Sequence, residues 1–157
     1  MKTWVALLPV VVLLIAGCGG GNDDPSSAAT SGASSDQLTK AELIEQGDAI
    51  CAKVFAVTET LHSEGTREEA VHFANLHLSM VKDLLSLGVP QETEYAYAEY
   101  TNAAHALAGS EVEVKLAAER NDPAALRVVE SSSLSTFSLF QVQAGAYGFK
   151  ECAEGER

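Results

Sequence analysis

The sequence predicts an all-α fold: an antiparallel up-down-up-down four-helix bundle behind a flexible N-terminal tether. Four apolar stripes recur at steps of three and four residues, and each is fenced by helix-start or helix-stop residues. The connections between them are only a few residues long, which favours antiparallel neighbours. A chain of 157 residues has room for one such domain plus attachments, and no segment needs to be a strand.

The first stripe opens at Thr39 with Glu42 three residues on, the capping-box spacing. Leu43, Gly47, Ile50, Val54, Val57 and Leu61 follow on one face, and Gly65 closes the segment. Thr66 and Glu69 open the second helix in the same way. Its stripe of Phe73, His77, Met80, Leu84 and Leu87 runs until Gly88 and Pro90 stop it. The third carries Tyr97, Tyr100, Ala104, Leu107, Val114 and Ala118, with Glu111 as the polar member. Asn121, Asp122 and Pro123 then supply a break, an N-cap and a first-turn proline. Leu126, Val129, Phe137, Phe140, Ala144 and Tyr147 form the fourth stripe. Within it, five serines and Thr136 between Ser131 and Ser138 predict either a kink or a close helix approach.

Before the bundle, Lys2 precedes an apolar run over 5–16, broken only by Pro9 and shorter than the roughly 20 residues of a membrane span. Charge followed by a short apolar run is the pattern of an export signal. Ile15, Ala16, Gly17 and Cys18 resemble the lipobox of bacterial lipoproteins. The resemblance implies a signal peptide over 1–17, cleavage before Cys18 and a diacylglycerol on that thiol. It also implies attachment to the outer face of the cytoplasmic membrane through the covalent lipid. Two or more acyl chains hold a protein stably where one does not. Residues 18–38 hold no large apolar side chain from Gly19 to Gln37 and read as a Gly/Ser-rich spacer reaching roughly 25 Å, leaving 39–157 for the bundle.

With Cys18 given to lipid, Cys51 and Cys152 remain as a pair in an oxidising compartment, which predicts a disulfide between them. Two free buried thiols are the alternative. A bridge closing that much chain stabilises by at most roughly 4–5 kcal/mol. It sets a geometric demand, because Cys51 lies about 18 Å along the first helix. The fourth helix must end or bend at Gly145 or Gly148 for the tail to reach it. The lipobox, the tether, the segment Asp48 to Cys51 and the segment Tyr147 to Cys152 together resemble small actinobacterial lipoproteins of unknown function. That resemblance implies location, helices and the disulfide, with no activity attached.

Twenty-two acidic against ten basic residues give a formal charge of −12, or −13 once Lys2 leaves with the leader. No basic stripe exists for nucleic acid, and the expected partner is a basic or cationic protein or small molecule. Glu59 with His62 and Glu69 with His72 have the Glu-x-x-His spacing of di-iron bundles. Both pairs flank one turn, whereas that family sets them on facing helices. His77 falls on an apolar stripe one turn before Met80, but no Cys-x-x-Cys-His motif accompanies it. A hydrogen-bonded core histidine is the simpler expectation, with Glu111 as partner and a stability that responds to pH near neutrality. Of Tyr95, Tyr97 and Tyr100, the last two fit the core and only Tyr95 should look outward. No Gly-x-Ser-x-Gly elbow or phosphate-cradling loop is present. The sequence therefore points to a non-enzymatic interaction or small-ligand-binding module, with no catalytic residue, metal ligand or cofactor assigned. The alternative is a metal- or haem-binding bundle using His62, His72 or His77.

Overall fold

The computed structural model describes residues 37–61 and 65–155; the leader, Cys18, nearly all of the tether and His62 lie outside them. Five helices follow in order: α1 (Lys40–Thr58), α2 (Arg67–Ser86), α3 (Tyr95–Glu119), α4 (Pro123–Tyr147) and the single turn α5 (Glu151–Glu154). The four long ones form the expected antiparallel bundle, with no strand among the described residues. None of these helices is long and apolar enough to cross a membrane.

The helix starts follow their local chemistry. Thr39 Oγ1 accepts from the Glu42 N–H while a Glu42 carboxylate oxygen accepts from the Thr39 N–H, and Thr66 with Glu69 repeats the arrangement on α2. Each reciprocal pair satisfies two backbone donors that the first turn leaves orphaned. The bonds from Thr39 also hold the Glu42 carboxyl below the usual carboxylate range. Asp122 caps α4 by accepting from Ala124 and Ala125, with Pro123 in the first turn. Leu38, placed in the tether by composition, packs against the core, and its carbonyl accepts from the Gln91 N–H.

One expectation needs correction, and one open alternative is decided. The buried face of α1 runs through Leu43, Gly47, Cys51, Phe55 and Thr58, while Ile50 and Val54 only flank it and Val57 is exposed. The helix also stops at Thr58, short of Leu61. The rotation follows from what the tail brings to this face, a ring against Gly47 and a sulfur against Cys51. In α4 the serine-rich stretch is unbroken helix. Ser135 and Ser138 donate to carbonyls four residues back, and Thr136 Oγ1 lies 2.6 Å from Ser110 Oγ on α3, so the short side chains serve a close approach.

α3 packs chiefly on α4 and α2, where Ala103, Ala104, Ala117 and Ala118 keep the backbones close. Between α1 and α4 the seam is filled differently. Gly148, at φ 124°, ends α4, and the chain turns back so that Phe149 reaches the surface of Gly47. A Cβ at Gly47 would collide with that ring and crowd Leu84, so only glycine fits here. Asp48 Oδ1 accepts from the N–H groups of Lys150 and Glu151 at 3.0 and 2.9 Å, fixing the start of α5. One residue later Cys152 meets Cys51 at disulfide distance, with Cα atoms 5.1 Å apart. Ending the helix at Gly148 thus meets the geometric demand that Cys51 sets.

Tyr97, Tyr100, Phe140, Tyr147 and Phe149 form one aromatic cluster around this turn, and Tyr100 stacks on Tyr147 with centroids 5.8 Å apart. Lys40 Nζ sits 4.8 Å from the Tyr147 ring centroid while pairing with Glu94 at 2.8 Å. Burial pushes the Tyr147 hydroxyl up to about 12 and raises that of Tyr100 further.

Candidate functional site

Among the described residues the opposite end of the bundle is less completely covered. At 19 residues α1 spans about 28 Å, whereas α3 and α4, at 25 residues each, span about 37 Å. α1 begins level with α3, through the Lys40–Glu94 pair, so it stops well short of the far end. The stretch it fails to cover is a cleft of about 380 Å³, within the range of small-ligand sites. Its walls are Phe55 from α1, Phe73 from α2, and Leu134 and Phe137 from α4.

The floor comes from three helices. Polar side chains interrupt the apolar faces of α2, α3 and α4 at His77, Glu111 and Ser133, and the bundle brings these three together. Glu111 is only 3% exposed. Its Oε1 lies 2.7 Å from His77 Nδ1 and accepts from Ser133 Oγ at 2.8 Å. Burying a carboxylate is costly unless it is bonded, and these two partners are what make the position tolerable. Both bonds fall on the same oxygen. Glu111 lines the cleft, and its Oε2 accepts from no described residue. The His77 ring stacks on Phe137 with centroids 4.8 Å apart, and Phe137 in turn meets Phe55 edge-on at 6.0 Å. The two contacts fix the orientation of the wall above the carboxylate.

In an acid-base relay for a serine nucleophile the imidazole stands between hydroxyl and acid. Here the carboxylate stands between the other two, and Ser133 gives its proton to Glu111 rather than to His77. Glu130 adds a second carboxylate to the lining.

The contact between His77 and Glu111 is the one inferred from the two stripes. Ser133 was hidden in the serine run, although steps of four and three through Leu126, Glu130, Ser133, Phe137 and Phe140 would have exposed it. Phe55 was missed because the α1 stripe was set one position off. Asp48 sits on the partly exposed side of α1, and only the return of the tail gives it a role.

The Glu-x-x-His pairs form no metal-holding group among the described residues. The Glu69 carboxylate receives the N–H groups of Gly65 and Thr66, His72 is exposed, Glu59 caps α1 at the surface, and His62 lies outside the described residues. No group of three or more His, Cys, Asp or Glu is placed to hold a metal ion among the described residues. Tyr95 is 80% exposed with its hydroxyl held by Glu99, whereas Tyr97 donates to the Gly88 carbonyl and Tyr100 is buried. The tyrosines at the start of α3 therefore divide as their spacing suggests. Comparison of the chain with protein-family models, with curated proteins and with solved structures finds no match.

Proposed function

We propose that this is a lipid-anchored protein of the cell envelope whose bundle binds a small amphipathic ligand in the cleft between α2, α3 and α4. The lipobox-like segment ending at Cys18 and the Gly/Ser-rich spacer support the anchor and the extracytoplasmic position. The observation that carries the binding reading is a polar floor beneath aromatic walls. A buried carboxylate, held by His77 and Ser133 with one oxygen unused, underlies a cleft of about 380 Å³. Few polar groups converging in an apolar concavity is the usual make-up of a ligand site.

The test is binding of the neutral dye N-phenyl-1-naphthylamine to the lipid-free domain. Its fluorescence should rise with wild type and fail to rise with Ala70→Trp, which places an indole in the cleft from the first turns of α2. Equal signals from the two would defeat the reading. Mass spectrometry of the native protein checks the anchor, and should find a chain beginning at an acylated Cys18.

A further inference from the structure

We infer that the cleft selects an organic cation, a primary amine or ammonium carried on an aromatic or branched apolar body. The inference rests on the cleft reading above and adds the charge of the ligand. Three observations point to it. First, Glu111 as a carboxylate has acceptors only. His77 and Ser133 take up Oε1, so a group reaching Oε2 from the cleft must be a donor. Second, the lining holds no Lys or Arg; His77 already faces Glu111 Oε1, and the other acidic side chain is Glu130, so the lining favours a cationic ligand over an anionic one. Third, Phe55, Phe73 and Phe137 present ring surface around the floor, and ring faces attract ammonium groups as well as apolar bodies.

The geometry explains why the charge belongs to the ligand. A neutral alcohol could donate to Oε2, but it would leave a carboxylate in an apolar recess with only neutral hydrogen bonds from that side. An ammonium supplies a charge-assisted bond, which is roughly twice as strong. Ser133 and His77 act as positioning residues. They hold Oε1 and leave Oε2 without a partner among the described residues, and neither needs to touch the ligand.

The experiment compares 2-phenylethylamine with 2-phenylethanol and 3-phenylpropanoate, by calorimetry and by displacement of the neutral dye from the full lipid-free domain. The amine should bind at least about tenfold more tightly than the alcohol, the size of one charged hydrogen bond, and the carboxylate should not compete. Glu111→Gln should remove the preference for the amine over the alcohol. The three ligands are compared on wild type first, so the inference is tested even if that variant folds poorly. Equal binding of amine and alcohol, or displacement of the dye by neither, overturns the inference. Dye binding that is still blocked by Ala70→Trp would then leave the cleft reading standing, whereas failure of the dye itself would remove both.

Discussion

Where α1 begins and α4 ends, the bundle is closed by five packed aromatic rings, the Asp48 carboxylate under α5 and the Cys51–Cys152 pair. At the other end the same helices leave a cleft of about 380 Å³ with a buried acid on its floor. The difference is one of length and closure. The tail stands beside α1 at the first end, and nothing among the described residues takes the equivalent place where α1 stops. A bundle fastened at one end can afford a poorly filled, polar recess at the other, because the free energy lost by burying Glu111 is offset away from the site. Sites commonly carry such a penalty, compensated elsewhere in the fold.

Removing the fastening should have the largest effect. The double variant Cys51→Ala/Cys152→Ala should lose up to roughly 4–5 kcal/mol of stability in urea unfolding, the ceiling for closing a loop of this length. Dye binding in the cleft should survive at low denaturant. Stability unchanged by the double variant would mean that the aromatic turn closes this end without the cysteines.

Deleting the same side chain at each end sharpens the contrast. Phe149 is 2% exposed inside the cluster, so Phe149→Ala should cost about 3–5 kcal/mol. Phe137 is half-buried and borders the cleft, so Phe137→Ala should cost only about 1–2 kcal/mol while weakening the dye. Comparable losses at the two ends would show that the cleft is packed as tightly as the aromatic turn.

High pH gives the mildest test, since it leaves stability at neutrality untouched. Tyr100 and Tyr147 hold their protons in the folded state above the ordinary tyrosine value of 10.0, because burial disfavours the phenolate. The folded chain therefore binds more protons than the unfolded one over this range, and stability falls as pH rises. The loss should begin near pH 10 and continue through the Tyr147 value of about 12. Ultraviolet titration of tyrosinate should show Tyr100 and Tyr147 ionising only as the protein unfolds.

Much of the fold is legible from local chemistry. Thr39 with Glu42, Thr66 with Glu69, and Asp122 with Pro123 place three helix starts, and each rests on hydrogen bonds made within four residues. Polar residues on apolar stripes marked His77 and Glu111 for the same reason, since a helix repeats every 3.6 residues whatever it packs against. The face of α1 was misplaced because Gly47 and Cys51 carry little apolar weight in a periodic pattern. Their burial depends on Phe149 and Cys152, about a hundred positions away. The serine run was ambiguous because propensity alone does not say whether a neighbouring helix needs short side chains.

By itself the sequence determined the four long helices, most of their starts and the acidic balance, because these depend on contacts a few residues long or on composition. Only the tertiary structure decided that α1 stops short of its neighbours, that the tail turns to meet it, and that His77 and Ser133 share one oxygen of Glu111. Those outcomes depend on how helices of unequal length are set side by side in space, and no periodicity along a single chain segment encodes that.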